Sequence, residues 1–387
     1  MTSESDFYLD VLREIVSQPT APFHEERVAA RVTAYLEQWH VPFSIDDTGN
    51  IIAHYQRGPA CRPLVLMAHM DHPGITILTT DDPEGARCTA RLEGGVAERY
   101  FQEPVAVRIY PAAPGTAAGV TAHSVGYSRD AESDAIDLQL QVDDPAAASL
   151  LQPDDFGVWD VPDFALRDGF IHARAIDDLA GCTAMLLTLW KAAQEDWDTD
   201  LYAVFTRAEE VGLIGAHAIL QSGILPRDGS IVSLEASPAR PGAEQGAGPV
   251  IRTGDRVTTF SQDAELALKA AAYSIGSAVW QPARGLLPAD RTKVQRQLMS
   301  GGSCEGSAAI MHGYQTTGLA FPLANYHNMG ENAKLAPEYI HAEDFQTGVL
   351  LLQEAARLLP ELDHLRAEHL RAFAPSAQLL ERLRMRR

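Results

Sequence analysis

The chain has 387 residues, a hydrophobic content of 46% and a formal net charge of -21 at pH 7, so it is long enough for two domains or for one large domain with an insertion. The acidic balance argues against nucleic acid and against anionic membrane surfaces as partners. The 4 cysteines form no C-x-x-C pair, which argues against a disulfide framework or a thiolate zinc site and fits a reducing cytoplasm.

The N-terminal part predicts two helices and a hairpin. The acidic start, MTSESDFYLD, is not typical of an export signal, and no apolar run approaches the roughly 20 residues of a membrane span, so we expect a soluble protein. Apolar residues at helical spacing predict helices over residues 5–17 and 24–39. An Asp-Thr-Gly turn at 47–49 predicts a hairpin between strands 43–46 and 50–55.

The stretch PLVLMAHMDHPG, residues 63–74, carries the first candidate site residues. Its apolar run 64–68 is typical of a strand buried on both faces of a parallel sheet, and His69-x-Asp71 follows at the carboxyl end, where ligands bind in such sheets. Asp71 can orient the ring of His69 and fix its tautomer for zinc binding. Taken alone, the pair is more often a solvated turn at a strand end, and the acids described below decide for the site.

Residues 75–165 have a different character. Short alternating apolar runs are separated by glycine and proline, which predicts a small all-β unit. We therefore expect 75–165 to be a β-domain inserted into a catalytic domain made of residues 1–74 and 166–387. The lone His123 in this segment is expected to be an ordinary surface histidine.

Acidic residues recur at predicted strand ends and at a helix start in the second half of the chain. They are Asp177, Asp178, Glu209, Glu210 and Glu235. The first two open an apolar helix, where the dipole stabilises negative charge and simple capping is the alternative. The other three follow the predicted strands 201–205 and 231–234. Adjacent acids repel each other unless a cation lies beside them.

The C-terminal part supplies the last candidate, His327, which follows a predicted strand over 316–321. Helices are predicted over 262–273 and 343–359. The glycine-rich SGGSCEGS segment lacks the ending of a phosphate-binding loop. The tail from residue 361 has six arginines and four acids, so it is a candidate for subunit contacts, with a solvated helix as the alternative.

These positions predict one metal site. Because the carboxyl ends of parallel strands meet at one edge of a sheet, the acids should gather there with His69 and His327. Several acids in one place are costly unless cations bind, and imidazoles with carboxylates and no thiolate suit zinc or cobalt. Two metals about 3.5 to 4 Å apart could share one carboxylate and clamp a water, leaving Glu209 or Glu210 to take its proton.

The motifs AHMDHPG, AIDDLAG, AEEVGLIGA and GGSCEGSA, with Glu235 and His327 after their strands, resemble in order and spacing the tetrahedral di-zinc aminopeptidase family of co-catalytic metallopeptidases, of the glutamyl or deblocking kind. The resemblance covers nearly the whole chain. It implies an α/β fold of the zinc-exopeptidase kind, in which helices flank a mixed, largely parallel sheet and a small β-barrel-like domain is inserted directly after H-x-D.

The resemblance also implies roles for the candidate residues and two divalent ions per subunit, zinc first and cobalt or manganese as alternatives. One ion would be held by His69, a bridging Asp177 and Glu235, and the other by Asp177, Glu210 and His327. Glu209 would be the general base, and Asp71 would orient His69. The peptide bond between Asp177 and Asp178 is expected to be cis by the same resemblance.

The function implied is a cytoplasmic aminopeptidase that cuts N-terminal residues from short peptides with a hydroxide bridging the two metals. The family's D-D-R and G-G-T-D-A-G read D-D-L and G-G-S-C-E-G here. Glu235 also replaces the usual aspartate, as in sister enzymes, so a carboxypeptidase or an N-acyl amino acid deacylase stays open. From another class, a catalytically inactive binding scaffold is the alternative. The family also implies a homo-oligomer, either a dimer formed through the inserted domain or a larger closed assembly.

Overall fold

The computed structural model of the protein describes residues 4–82, 86–113, 115, 119–130, 132–279 and 292–384. Its helices are α1 (Glu4–Val16), α2 (Glu26–Gln38), α3 (Pro145–Ala148), α4 (Leu179–Gln194), α5 (Ile214–Ser222), α6 (Gln262–Ser274), α7 (Glu305–Met311), α8 (Ala342–Arg357), α9 (Leu362–Phe373) and α10 (Ala377–Arg384).

The strands fall into two groups. Those of the main sheet are β1 (Phe43–Ile45), β2 (Ile51–Arg57), β3 (Leu64–His69), β10 (Phe164–Arg167), β11 (Phe170–Ala173), β12 (Thr199–Thr206), β13 (Ser230–Pro238), β14 (Val250–Arg252), β15 (Gln295–Gln297), β16 (Gln315–Ala324) and β17 (Glu338–His341). Those of the second sheet are β4 (Gly74–Asp82), β5 (Arg87–Glu93), β6 (Ala106–Tyr110), β7 (Val120–Arg129), β8 (Ile136–Val142) and β9 (Phe156–Trp159).

The main sheet has 11 strands in the order β1-β2-β12-β3-β13-β16-β17-β11-β10, with β14 paired to β16 and β15. The central strands β12, β3, β13 and β16 are parallel to one another, and the outer strands of this order pair antiparallel. This confirms the predicted mixed sheet flanked by helices. It also brings the carboxyl ends of the four central strands to one edge.

Strand β3 shows why both faces of this sheet are covered. Its residues are all buried and alternate between two hydrophobic clusters. Leu64 and Leu66 belong to the cluster that includes the apolar residues of α4 and α8, whereas Val65 and Met67 belong to the cluster under α5 and α7. An unbroken apolar strand is therefore required here, because each face packs on helices.

The second sheet closes into a six-stranded antiparallel barrel in the order β4-β5-β8-β7-β6-β9. Strand β8 reads IDLQLQV and alternates buried apolar with half-buried polar residues, the pattern of a strand with one wet face. The barrel has a hydrophobic cluster of its own, which includes the fully buried Trp159. The expected barrel-like insertion after β3 is thus present, and His123 lies half-exposed beside Asp143, as expected.

Several element boundaries differ from the sequence prediction. Helix α2 covers Glu26–Gln38 rather than 24–39, and α8 ends at Arg357 rather than at 359. Strand β16 continues through Pro322, which lies opposite Ser237 of β13. Helix α10 buries none of its residues. Among the residues described, no helix combines the length and the apolar character needed to cross a bilayer.

Candidate metal centre

The predicted site residues meet at the carboxyl edge of the central strands. His69 is the last residue of β3, and Glu235 lies in the second half of β13, toward the same edge of the sheet. Glu209 and Glu210 follow β12, and His327 follows β16. Asp177 stands between β11 and α4, where Asp178 caps the helix by accepting from the backbone N–H of Gly181 at 3.2 Å. The peptide bond between Asp177 and Asp178 is cis, as the resemblance implied.

The geometry forms two groups of potential ligands that share Asp177. One contains His69, Asp177 and Glu235, and the other contains Asp177, Glu210 and His327, with the ligand atoms of each group within 4.8 Å of one another. The carboxylate of Asp177 lies between the two histidines: Oδ1 is 3.6 Å from Nε2 of His69, and Oδ2 is 3.8 Å from Nε2 of His327. Asp178 belongs to neither group.

Each histidine is held through its other ring nitrogen. Nδ1 of His69 lies 3.1 Å from the carbonyl oxygen of Asp71, and Nδ1 of His327 lies 2.7 Å from the carbonyl oxygen of Gly95 in the barrel. A carbonyl partner fixes a proton on Nδ1 and leaves Nε2 as a free electron-pair donor, the tautomer that a metal ligand needs. Both Nε2 atoms point to Asp177.

Four buried ligand atoms have no hydrogen-bond partner among the described residues. They are Oδ1 of Asp177, Oε1 of Glu210, Oε1 of Glu235 and Nε2 of His327. Nε2 of His327 and Oε1 of Glu210 are only 3.1 Å apart, but their geometry does not meet the angles of a hydrogen bond. Unpaired buried polar atoms are costly, and a cation bound among them would satisfy all four. The donor set therefore fits divalent metal ions.

Asp71 has a second contact that its position after His69 does not reveal. Its carboxylate oxygens accept from the backbone N–H groups of Glu209 and Glu210, each at 3.0 Å, while the nearer one is 3.5 Å from Nδ1 of His69. The sequence predicted Asp71 as the partner of His69 alone. The structure adds that this carboxylate holds the backbone of the adjacent glutamates.

The ionisation of the site reflects crowding of like charges. Burial raises the pKa of Glu209 and of Glu235 well above the ordinary glutamate value, and neighbouring acids raise both further. Burial disfavours the charged form of His327, yet its interactions with Glu210, the charge of Asp177 and the carbonyl group of Gly95 together outweigh this effect and raise the pKa of His327 to about 9. Without a cation this centre retains protons, and a bound metal would take their place.

Two residues that support the centre were not predicted as site residues. The fully buried Glu338 accepts from the backbone N–H groups of Asp177 at 3.0 Å and of His327 at 2.8 Å, so it fixes two ligand-bearing segments at once. Nothing in the short strand β17 distinguishes it from a surface acid. His72 lies with Nδ1 2.6 Å from the carbonyl oxygen of Asp177, and its place in the AHMDHPG motif was a usable signal.

A cavity beside the metal centre is lined by Glu235 and by two arginines, Arg240 and Arg252. Arg252 is only 2% exposed, and its Nε and Nη1 atoms have no hydrogen-bond partner among the described residues. The lining also includes residues 301–303 of the glycine-rich segment and Tyr326. Sequence reasoning did not identify these arginines, because nothing near them in the chain marks a site.

Comparison with known families places this fold and site among the peptidases. The model of the M42 glutamyl aminopeptidase family matches residues 49–336, a span that includes every predicted ligand from His69 to His327. The chain belongs to the M42 family and is a metal-dependent peptidase of that family.

Individual relatives agree with this assignment. A putative aminopeptidase of Acetivibrio thermocellus is 24% identical over 367 residues, which cover 91% of this chain and 99% of the relative. The TET1 peptidase of Pyrococcus horikoshii, which can assemble into a tetrahedron or a large octahedral shell, has a TM-score of 0.70 at 20% identity over 90% of this chain and 99% of its own. An aminopeptidase of Desulfurococcus kamchatkensis has a TM-score of 0.70 at 20% identity over 97% and 100%. The solved structures establish a shared fold.

Proposed function

We propose that the protein is a two-metal aminopeptidase in which Asp177 bridges the ions, His69 and Glu235 complete one set of ligands, and Glu210 and His327 complete the other. The observation that carries this proposal is the position of the Asp177 carboxylate between the two histidines. Imidazole and carboxylate without thiolate suit zinc, with cobalt or manganese as alternatives. When bound, such ions would supply a water activated near neutral pH.

Glu209 is the proposed general base. A carboxylate oxygen of Glu209 lies within 4.8 Å of potential ligand atoms of His69 and Glu210, so it faces the centre without belonging to the two groups that share Asp177. Burial raises the pKa of this carboxyl well above the ordinary glutamate value, the direction that strengthens a general base. Glu209 would take a proton from the attacking water and pass it to the leaving amine.

The variants Glu209→Gln and Glu210→Gln test these roles when metal content and initial rate are measured on each. Glu209→Gln should keep both metals while turnover falls about 10²- to 10⁴-fold, because the amide cannot accept the proton. Glu210→Gln should lose metal from one position, because an amide is a poorer ligand than a carboxylate.

Three results would contradict the proposal. Full activity in Glu209→Gln excludes its role as base, and metal loss there with retention in Glu210→Gln reverses the two roles. Wild-type protein that purifies without zinc, cobalt or manganese, and that stays inactive when they are added, would instead be a binding scaffold.

The positive charge of the cavity lining favours an acidic substrate side chain. A buried guanidinium with two unpaired nitrogen atoms is costly, and a carboxylate that enters the cavity would bind Arg252 with charge-assisted hydrogen bonds. Both Arg252 and Glu235, a proposed metal ligand, line this cavity. The side chain of an N-terminal glutamate or aspartate could therefore reach Arg252 while the peptide bond to be cut lies near the proposed metal ligands. The name of the family, glutamyl aminopeptidase, agrees with this preference.

Arg252 also favours a second candidate, because a carboxypeptidase or an N-acyl amino acid deacylase needs a cation for a free α-carboxylate. Hydrolysis of glutamic acid α-anilide and of N-acetylglutamate separates the two. The aminopeptidase should cut only the first compound, whose α-amino group is free and whose α-carboxyl group is blocked. Cleavage of the second compound alone would assign the site to acyl removal.

The assembly and location of the protein follow from the family by analogy. We expect a homo-oligomer, a dimer or a larger closed shell, in which the inserted domain proposed at 75–165, between catalytic segments 1–74 and 166–387, contributes subunit contacts. Short peptides would be the substrates, and a cytoplasmic location stays a prediction. Light scattering that gives the monomer mass of 42.0 kDa would contradict the oligomer.

A further inference from the structure

The segment that carries Glu209 lies outside the sheet and the helices; its carbonyl groups accept from backbone N–H groups at the start of α5, and its own N–H groups are bound by side chains. It lies between the end of β12 at Thr206 and the start of α5 at Ile214. Four consecutive backbone N–H groups donate to side-chain oxygens: Arg207 to Asn50 at 3.1 Å, Ala208 to Glu25 at 2.9 Å, and Glu209 and Glu210 to Asp71 at 3.0 Å each. The position of Glu209 thus depends on residues far away in the chain.

Glu25 has the most selective role among these acceptors. It is fully buried, its Oε1 accepts from the N–H groups of Ala208 and of Phe23, and its Oε2 accepts from Nε of Arg207 at 2.6 Å. By contrast, Asn50 also supports the Asp46 turn and Gly215, and Asp71 lies beside His69. Within the described part of the chain, the hydrogen bonds of Glu25 reach no proposed metal ligand.

Ala208 explains why this support is needed. Its φ is 52°, in the left-handed region that non-glycine residues adopt at a cost. The conformation turns the chain between β12 and Glu209, and the bond from the Ala208 N–H to Glu25 holds it. A change that withdraws the acceptor allows the backbone to relax at the residue that directly precedes Glu209.

We propose that Glu25 is a positioning residue for the general base: through the backbone of Ala208 it sets the direction in which the Glu209 carboxylate enters the metal centre. This inference rests on the proposed function, since Glu209 must be the base. Glu25 would act by holding the backbone in place, and its negative charge would not be required.

Two substitutions separate geometry from charge. Glu25→Gln keeps an oxygen at the place of Oε1 for Ala208, but it removes the charge and the bond from Arg207, because an amide nitrogen cannot accept from Nε. Glu25→Asp keeps the charge and withdraws both oxygens by one methylene group. We expect Glu25→Asp to lower kcat about 10- to 100-fold with KM within about 2-fold of wild type, because small misplacement of a catalytic group has effects of this size. Glu25→Gln should keep kcat within about 3-fold, and both variants should keep both metals.

Glu26→Gln is the matched control. Glu26 is the neighbouring glutamate and accepts from Nη2 of the same Arg207 at 2.8 Å, but it makes no bond to Ala208. It removes one ion pair of Arg207 and should leave kcat unchanged. Thermal unfolding of every variant, with assays run well below the lowest Tm, separates a loss of folded protein from a loss of turnover.

The opposite results would overturn the inference. A wild-type kcat in Glu25→Asp would exclude the geometric role, and so would a low kcat in Glu25→Gln together with a normal kcat in Glu25→Asp. Metal loss in Glu25→Asp would show that Glu25 supports Glu210 instead. If Glu25→Asp does not fold, Glu25→Gln alone decides: a 10-fold loss of kcat in the folded variant would also exclude the geometric role. Failure of the proposed function appears elsewhere, as full activity of Glu209→Gln.

Discussion

The substitution Arg252→Met tests the proposed preference for acidic substrate side chains. The guanidinium is buried, and two of its nitrogen atoms have no partner within the described residues. Methionine has a similar reach, carries no charge and fills space adaptably. The variant should therefore lose affinity for a carboxylate in the transition state while the walls of the cavity stay in place.

The magnitude follows from the hydrogen bonds that are lost. A bond to a charged group contributes about 1.5 to 3 kcal/mol, which corresponds to roughly 10- to 150-fold in kcat/KM. The assay compares α-anilides of glutamate and leucine on metal-loaded protein. The glutamate substrate should lose activity by this factor, whereas the leucine substrate should stay within about 3-fold, because it never contacted the charge.

Stability should change in the opposite direction from activity. Replacing a buried guanidinium, two of whose nitrogen atoms have no partner within the described residues, by an apolar side chain should be neutral or stabilising, so the Tm of Arg252→Met should equal or exceed that of wild type. Arg227→Met, which removes a charge stacked on Tyr314 and outside the cavity lining, is the control for net charge. Equal losses on both anilides, or a lower Tm, would refute the reasoning.

Two further outcomes concern metal and packing. Chelation should lower Tm more at pH 8 than at pH 5, because the raised pKa values of Glu209 and Glu235 stabilise the metal-free fold below their unfolded pKa values and this stability is lost as pH rises through the folded pKa values. Metal-loaded protein should avoid this loss. Calorimetry at several pH values checks the sign, and a Tm difference that does not change with pH would contradict it. Leu66→Ala should cost about 2 to 5 kcal/mol in urea unfolding, because Leu66 is fully buried in β3, against less than about 0.5 kcal/mol for the exposed Ile45→Ala; equal costs would show that β3 is not central.

The meeting of the candidate ligands was predictable because each of them follows a recognisable local pattern. His69 ends an unbroken apolar run, Glu210 and His327 follow strands, and Asp177 opens an apolar helix. Parallel strands bring their carboxyl ends together regardless of the details of packing. Local pattern and topology were therefore sufficient to predict that the groups meet, although their roles stay proposals.

The supporting residues were not predictable by the same reasoning. Glu338 and Arg252 reach the centre from β17 and β14, strands of only 4 and 3 residues without a distinctive pattern. Glu25 reaches Ala208 from the loop before α2, and 183 positions separate the two residues. These contacts depend on how separate elements pack in three dimensions, which hydrophobic periodicity does not encode. The continuation of β16 through Pro322 was missed because proline normally ends a strand prediction.

The bond between Gly95 and His327 means that the barrel is part of the metal centre rather than an attachment to it. Gly95 presents its carbonyl oxygen to Nδ1 of His327, and Tyr100 donates its hydroxyl to the carbonyl oxygen of Gly330 just beyond. If His327 is a ligand as proposed, a contact that shifts the segment 95–100 would change how tightly His327 holds its ion, and by linkage ion binding would alter that contact by the same free energy. In an assembly joined through the barrels, metal affinity would depend on protein concentration.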